Sequence, residues 1–186
     1  MKLFKIIILI LISFNTSFKV ISANDLQNIL KEDGKLIFIR HAYAPGGGDP
    51  DEFRISNCAS QRNLNNEGIE QSKRIGQFFI KNNVEIGKVL SSEWCRCKQT
   101  ADYAFVNYEI KSFLNSFYSQ EFSHNKDRQI KELKKYVKIW DGKNNLIFVT
   151  HYIVISEVLN LSVSSGEIVI TDKEFNILAR KETYNN

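Results

Sequence analysis

The chain has 186 residues, of which 43% are hydrophobic, and a formal net charge of +4. This length suits one globular domain with a sizeable core, and two prolines without any repeat or low-complexity tract leave no sign of a linker. Three of the lysines lie in residues 1–23, without which the formal charge is about +1. The charge therefore gives no support for a nucleic-acid-binding protein, which would need a concentrated basic patch.

The first 23 residues have the arrangement of a secretory signal peptide. A short basic start is followed by the apolar run 6–14, and Ser22 and Ala23 precede the polar Asn24. The apolar run is shorter than the roughly 20 residues that cross a membrane. We therefore expect cleavage of residues 1–23, rather than their retention as an anchor, and a periplasmic or secreted domain of residues 24–186.

Two near-continuous apolar runs, 36–39 and 146–149, predict strands that are buried on both faces, as in parallel sheets. Helical spacing and turn signals predict the other elements, which are helices at 66–81, 93–105, 127–140 and 153–161, a short strand at 88–90, and a hairpin of strands 167–171 and 175–179. Strands alternating with helices predict an α/β three-layer sandwich, with a mainly parallel central sheet and helices on both faces.

Cys58, Cys95 and Cys97 are the three cysteines. In an oxidising compartment we expect Cys58 to pair with Cys95 or Cys97, although three unpaired thiols are the alternative. The segment 95–97 lacks the cysteine spacing of common zinc sites, and we expect no metal.

Two of the three histidines directly follow the two apolar strands. His41 comes after the first strand, next to Arg40, and His151 comes after the second. Ligands bind outside the carboxyl ends of the strands in open parallel sheets, so both histidines are expected to face one crevice. The alternative is a pair of core histidines whose ring nitrogens are satisfied by the surrounding protein.

Arg96 is a candidate anion ligand. Ser92 is a good N-cap for a helix that starts at Glu93, which would place Arg96 in the first turn, near free backbone N–H groups. The planar fork of an arginine can hold two phosphate oxygens at once. The alternative is an ordinary solvated arginine on a helix.

Four segments in chain order carry a resemblance to a known family. The segments are Arg40-His41-Ala42, then 64–71 with Gly68 and Gln71, then Ser91-Ser92 with Arg96, and finally Thr150-His151. They resemble the signatures of the histidine phosphatase superfamily, which includes the cofactor-dependent phosphoglycerate mutases and whose fold agrees with the predicted sandwich. Segments 44–50, 57–58, 61–64 and 94–97 further resemble an exported bacterial subgroup.

The resemblance implies a phosphatase that works through a phosphohistidine. His41 would attack phosphorus while Arg40, Arg96 and His151 hold the phosphate oxygens, and water would then release phosphate. It implies no metal and no cofactor, because the arginines and the second histidine supply the positive charge.

The resemblance does not assign the acid that protonates the leaving group. Tyr152 follows His151, at the place where the acid phosphatase branch has an aspartate. Glu121 is the first choice on position alone. The other candidates are Asp49, Glu109, Asp127 and Glu167, and for each carboxylate a solvated position on the surface is the favoured alternative.

Two further segments lie near these candidates. The glycine-rich stretch Ala44–Asp51 is predicted to be a flexible lip over the pocket or a plain surface loop. Phe117, Tyr118 and Phe122 are assigned to the core, which their spacing favours over the pocket mouth.

The sequence thus favours a metal-independent phosphatase for a small phosphomonoester or similar phosphorylated substrate, with no nucleic-acid partner and no membrane contact after leader cleavage. The alternative is a catalytically weak or inactive module that keeps the phosphate pocket to bind phosphorylated ligands. A redox protein using Cys95 and Cys97 is the weakest interpretation.

Overall fold

A computed structural model of the chain describes residues 23–184, so the expected leader lies outside the described residues except for Ala23. Within that range the elements run in chain order as α1 (Ala23–Lys31), β1 (Leu36–Arg40), α2 (Asn66–Lys81), β2 (Ile86–Ser91), α3 (Cys95–Ala104), β3 (Glu109–Ile110), α4 (Lys126–Ile139), β4 (Asn145–Thr150), α5 (Tyr152–Leu159), β5 (Ile168–Thr171) and β6 (Ile177–Lys181). No helix in this part of the chain is both long and apolar enough to span a membrane.

The strands form one sheet in the order β3-β2-β4-β1-β5-β6. Strands β3, β2, β4 and β1 are parallel, and the final hairpin of β5 and β6 is antiparallel. The prediction of a mainly parallel central sheet in an α/β fold is confirmed. Arg40 pairs with Thr150 in register, so β1 and β4 end at the same level of the sheet.

Each face of the sheet packs against its own layer of helices. Ile37 and Ile39 of β1 contact the layer that contains Phe79 of α2, whereas Phe38 contacts the layer that contains Leu133 of α4. Both faces of β1 and β4 are therefore covered, which explains their continuous apolar runs. Each fully buried side chain of this kind contributes about 1.5–3 kcal/mol to stability.

Two predicted boundaries are wrong for local reasons. Helix α3 begins at Cys95, two residues later than expected, because the hydroxyl of Ser92 accepts the backbone N–H of Trp94 at 3.2 Å and holds a turn there. The last strand begins at Ile177, because the carboxylate of Asp172 accepts the backbone N–H of Asn176 at 2.8 Å and widens the hairpin turn. Neither α1 nor β3 was predicted from the sequence.

One disulfide links the two loops nearest the predicted site. Cys58 is bonded to Cys95, which ties the loop after β1 to the start of α3. Cys97 is a free thiol in the core, and burial raises its pKa to about 12. This pairing leaves no Cys95–Cys97 redox couple.

Candidate active site

The carboxyl edge of the sheet brings the two strand-end histidines side by side. His41 follows β1 and His151 follows β4, and their ring centroids are 5.5 Å apart. Both are almost completely buried, with 2% and 3% of their surface exposed. The backbone N–H of His41 donates to the carbonyl of Thr150 at 2.9 Å, which fixes the spacing of the two strand ends.

The hydrogen bonds of each histidine indicate which nitrogen faces the pocket. His41 Nδ1 lies 2.8 Å from the carbonyl oxygen of Ala42, so that nitrogen carries the proton. Nε2 of His41 then keeps its lone pair, and it accepts from Arg96 Nε at 3.2 Å. His41 therefore presents an unprotonated nitrogen to the place where Arg96 would bind an anion.

His151 is oriented by Ser92 instead. Its Nε2 lies 2.9 Å from the hydroxyl oxygen of Ser92, and that hydroxyl in turn donates to Asn115 Oδ1 at 3.0 Å. Because the hydroxyl hydrogen is used on Asn115, His151 Nε2 is the donor to Ser92. Nδ1 of His151 then faces Arg96, whose Nη2 lies 3.4 Å away. Ser92 is thus a support for His151 and not the helix cap predicted from the sequence.

Burial and positive charge keep both rings neutral. Burial is the main cause that lowers the pKa of His41 well below its usual range, and the guanidinium of Arg96 lowers it further. The same two causes, in the same order, lower the pKa of His151. A neutral imidazole is the form that can act as a nucleophile.

Arg96 lies in the first turn of α3, as expected, although that helix starts later than predicted. The guanidinium edge formed by Nε and Nη2 faces the two histidines, whereas Nη1 donates to both carboxylate oxygens of Asp49 at 2.8 and 3.0 Å. The edge that faces the histidines is the one with which an arginine holds two oxygens of a phosphate.

Two more arginines flank this edge. Arg40 donates from Nη1 to the carbonyl of Val163 at 2.8 Å, and its guanidinium lies 5.6 Å from the centre of the Tyr152 ring. Arg62, which was not predicted to be a site residue, also lines the cavity and donates from Nη1 to the carbonyl of Ala44 at 2.6 Å. In both arginines Nε is buried and has no hydrogen-bond partner among the described residues. Burial is also the main cause that lowers the pKa of each guanidinium.

The stretch Ala44–Asp51 forms a wall of the cavity that is hydrogen-bonded at several points. Asp49 accepts the backbone N–H of Arg62 at 3.0 Å and the indole N–H of Trp94 at 3.1 Å, besides its ion pair with Arg96. The positive φ angles of Gly46 and Gly48, +92° and +103°, turn the chain into this position. The wall is therefore bound to the pocket floor, in contrast to the flexible lip expected from the glycines.

The predicted acids lie in different environments. Glu121 is exposed and lines the outer part of the cavity, as does Asp51. Glu167 is buried and accepts from Arg180 Nε at 2.6 Å, so it is a structural residue. The two remaining candidates do not line the cavity. Glu109 forms ion pairs with lysines at the edge strand β3, and Asp127 is exposed in the first turn of α4.

The cavity has a volume of about 660 Å³ and continues outward past several aromatic side chains. Phe117 is in the core, as predicted, but the same prediction is wrong for Tyr118, which is 75% exposed and lines the cavity. Phe122 is partly buried and also lines it, packed at 5.4 Å from the ring of Trp94. These residues lie on a loop without regular structure, so side-chain spacing gave no information on their direction.

Within residues 23–184, no group of three or more histidine, cysteine or acidic side chains is arranged to hold a metal ion. The positive charge at the cavity floor comes from Arg40, Arg62 and Arg96.

No known family profile and no curated protein matches the chain. Solved structures do match its fold. The protein histidine phosphatase SixA complexed with tungstate shares 16% identity over 80% of this chain and 97% of its own, with a TM-score of 0.56. A phosphoglycerate mutase from Thermus thermophilus shares 15% identity over 78% of this chain and 97% of its own, with a TM-score of 0.56. An Escherichia coli protein described as a candidate α-ribazole-5′-P phosphatase shares 16% identity over 78% and 95%, with a TM-score of 0.55. At these identities the likeness establishes a phosphoglycerate mutase-like fold and no more.

Proposed function

We propose that the chain is a histidine-type phosphatase of the histidine phosphatase superfamily. It hydrolyses a phosphomonoester, or a similar phosphorylated compound, through a phosphohistidine at His41, without a metal or a cofactor. The observation that carries the proposal is the guanidinium edge of Arg96, directed at two buried and neutral histidines at the carboxyl edge of the sheet. A tetrahedral oxyanion between these three side chains would accept hydrogen bonds from Arg96 and lie against His41 Nε2.

The structural likeness agrees with such a ligand. The neighbour SixA is described as a protein histidine phosphatase and was solved with tungstate, a tetrahedral oxyanion like phosphate. The proposal for this chain nevertheless rests on its own side chains, because the identity is only 16%.

The reaction proceeds in two displacements. His41 Nε2 forms a bond to phosphorus while the bond from phosphorus to the leaving oxygen breaks, and the leaving group departs with the electron pair. Arg40, Arg62 and Arg96 offset the charge on the phosphate oxygens, and bound phosphate favours protonation of His151, which then donates to one of them. Water attacks the phosphohistidine, and phosphate leaves with restoration of the His41 lone pair.

Hydrolysis fits the cavity better than a mutase reaction. A mutase for phosphoglycerates must hold the carboxylate of its substrate, whereas the charged side chains beyond the floor of the cavity are the acids Asp51 and Glu121. The same rim supplies the proton donor, and Glu121 remains our first candidate because it lines the cavity and is accessible to solvent.

A second function, binding of a phosphorylated ligand without turnover, is favoured by one observation. The carboxylate nearest the floor, that of Asp49, is held by Arg96 and Trp94, so it is poorly placed to give a proton to a leaving group. If neither rim acid reaches the substrate, only substrates with good leaving groups are hydrolysed.

We also propose that the protein works in the periplasm or outside the cell after removal of residues 1–23. The Cys58–Cys95 disulfide supports this location, because such bonds persist in oxidising compartments.

The test uses protein purified from cells that express the full chain, assayed with para-nitrophenyl phosphate in EDTA. We expect turnover in EDTA, a loss of at least about 10³-fold in His41→Ala, and acid-labile labelling of the native protein during turnover. His124→Ala is the matched control, because His124 is exposed and does not line the cavity. Full activity of His41→Ala would refute the proposed mechanism, whereas phosphate binding without any turnover would support the binding module.

A further inference from the structure

We infer that the leaving group of the substrate is a flat aromatic ring that carries no second anionic group. The inference rests on the proposed function and concerns the outer half of the same cavity.

Four aromatic side chains line the cavity besides Trp94, namely Phe53, Tyr118, Phe122 and Tyr152, and we call these four the aromatic collar. Trp94 connects this collar to the proposed phosphate site. The Trp94 ring lies 5.4 Å from the ring of His151 and stacks on Phe53 at 5.1 Å, with 23° between the planes. Phe53 in turn contacts Phe122 edge to face at 5.6 Å. A leaving group attached to a phosphate near His151 would occupy the cavity that these rings line.

Tyr118 distinguishes the collar from ordinary core packing. It is 75% exposed, although it lines the cavity, and its ring takes part in none of the aromatic pairs of the described residues. An exposed aromatic side chain beside a concave, polar-floored pocket is typical of ligand-binding sites, where it contacts the ligand. A single ring-on-ring contact strengthens binding by about 2- to 12-fold.

The charges of the cavity define the leaving group further. Arg40, Arg62 and Arg96 are the only cations among the described lining residues, and all three surround the phosphate site. Asp51 and Glu121 line the outer part, and neither forms an ion pair with another described residue. A second phosphate or a carboxylate on the leaving group would therefore meet negative charge without compensation.

The chemistry of an aryl ester suits this site as well. The oxygen of a phenol leaves as a stabilised anion, so a rim carboxylic acid that is only loosely placed suffices for its protonation. Small aryl phosphates without other acidic groups are thus the substrate class that both the shape and the charge of the cavity favour.

Phosphonates measure how tightly the cavity binds an aromatic ring, independently of how easily the leaving group departs, because their P–C bond is not hydrolysed. We expect phenylphosphonate to inhibit with a Ki about 5- to 20-fold lower than that of butylphosphonate. Tyr118→Ala reduces this ratio by about 3-fold or more, because it weakens the binding of phenylphosphonate more than that of butylphosphonate. The control is Tyr103→Ala, because Tyr103 is an exposed tyrosine on α3 that does not line the cavity. Equal Ki values for the two phosphonates overturn the inference.

The charge requirement is tested with 4-carboxyphenylphosphonate against 4-carbamoylphenylphosphonate, which has a similar shape and no charge on the ring. We expect the carboxylate to weaken binding about 5-fold or more, and Glu121→Gln to recover at least half of that difference. A carboxylate that binds as tightly as the amide overturns this part of the inference.

These results are distinguishable from a failure of the proposed function. If turnover of para-nitrophenyl phosphate depends on His41 but the two phosphonates bind equally, the inference of an aromatic leaving group is wrong and the proposed phosphatase mechanism still holds. If turnover is independent of His41, the proposed phosphatase mechanism is wrong. The ratio of the Ki values of the two phosphonates still shows whether the collar binds an aromatic ring.

Discussion

The floor of the cavity and its mouth come from different kinds of structure. His41, Arg96 and His151 at the floor follow the ends of parallel strands or lie in the first turn of a helix, and all three are at least 96% buried. The mouth comes mainly from two irregular segments, 44–53 and 116–122, with Tyr152 added from the start of α5, and it includes solvent-exposed acids and the exposed ring of Tyr118. In the proposed function the sheet and helix α3 thus position the reacting side chains, whereas the loops would determine which substrate reaches them.

The largest effect is expected when the guanidinium of Arg96 is removed from the floor of the cavity. Arg96→Ala is expected to lower kcat/KM by about 10³-fold, a loss of roughly 4 kcal/mol, because Asp49 also loses its partner and becomes an uncompensated negative charge near the phosphate. Steady-state kinetics on para-nitrophenyl phosphate measures the effect. The control is Arg128→Ala, an exposed arginine on α4 paired with Glu132. A change of less than 10-fold in Arg96→Ala would mean that the phosphate does not bind at this edge.

The disulfide connects the loop after β1, which also forms part of the mouth, to the start of α3, which carries Arg96, and its loss should affect stability more than chemistry. Reduction of Cys58–Cys95, which closes a segment of 37 residues, is expected to lower the free energy of unfolding by about 2–4 kcal/mol. Urea denaturation with and without reductant measures this difference, and kcat should change by less than about 3-fold. In the double variant Cys58→Ala/Cys95→Ala the reductant should have no effect. A loss of kcat as large as that of Arg96→Ala would show that the floor depends on the mouth.

The same contrast explains how much could be predicted from the sequence. His41 and His151 could be placed because apolar strands precede them, and strand ends in a parallel sheet share one edge. Arg62 and Asp49 could not, because each acts through contacts made by irregular backbone across long stretches of chain, and no periodic pattern marks such contacts. Tyr118 was assigned to the core for the same reason, since spacing has meaning only within a helix or a strand.

The two buried histidines at the floor make the stability of the fold depend on pH. In the unfolded chain each histidine titrates near its ordinary pKa of about 6.5, whereas burial and Arg96 hold the folded pKa of His41 and His151 well below that. Below pH 6.5 the unfolded chain therefore binds protons that the folded chain does not. The free energy of unfolding should fall by up to about 1.4 kcal/mol per pH unit for each of the two histidines.

Urea denaturation at pH 7, 6 and 5 measures this slope. The substitution His41→Asn should remove about half of it, whereas His124→Ala, at an exposed histidine, should leave this contribution unchanged. Added phosphate should reduce the loss at low pH, because a bound anion favours protonation of both rings. A slope that is unaffected by His41→Asn would show that this histidine titrates normally in the folded protein.

The smallest effect is expected at Asp49, where the wall from the mouth meets the floor. Its carboxylate accepts hydrogen bonds from Nη1 of Arg96 and from the indole of Trp94. Asp49 therefore orients the guanidinium edge that is proposed to bind phosphate. Asp49→Asn keeps one acceptor oxygen and removes the charge. We expect kcat to fall by about 10- to 30-fold, with a smaller change in KM, because a misaligned guanidinium loses more contact with the transition state than with the ground state.

A role of Asp49 as the proton donor gives a different pattern, and the leaving group separates the two. A positioning residue affects aryl and alkyl phosphates to the same degree, since the orientation of Arg96 matters for the phosphoryl group common to both. A proton donor affects alkyl phosphates far more than aryl phosphates, and its loss removes the limb of the pH–rate profile that the acid produces. An equal loss on both substrates with an unaltered profile would assign Asp49 to positioning, and would leave Glu121 and Asp51 at the rim as the groups to test for proton transfer.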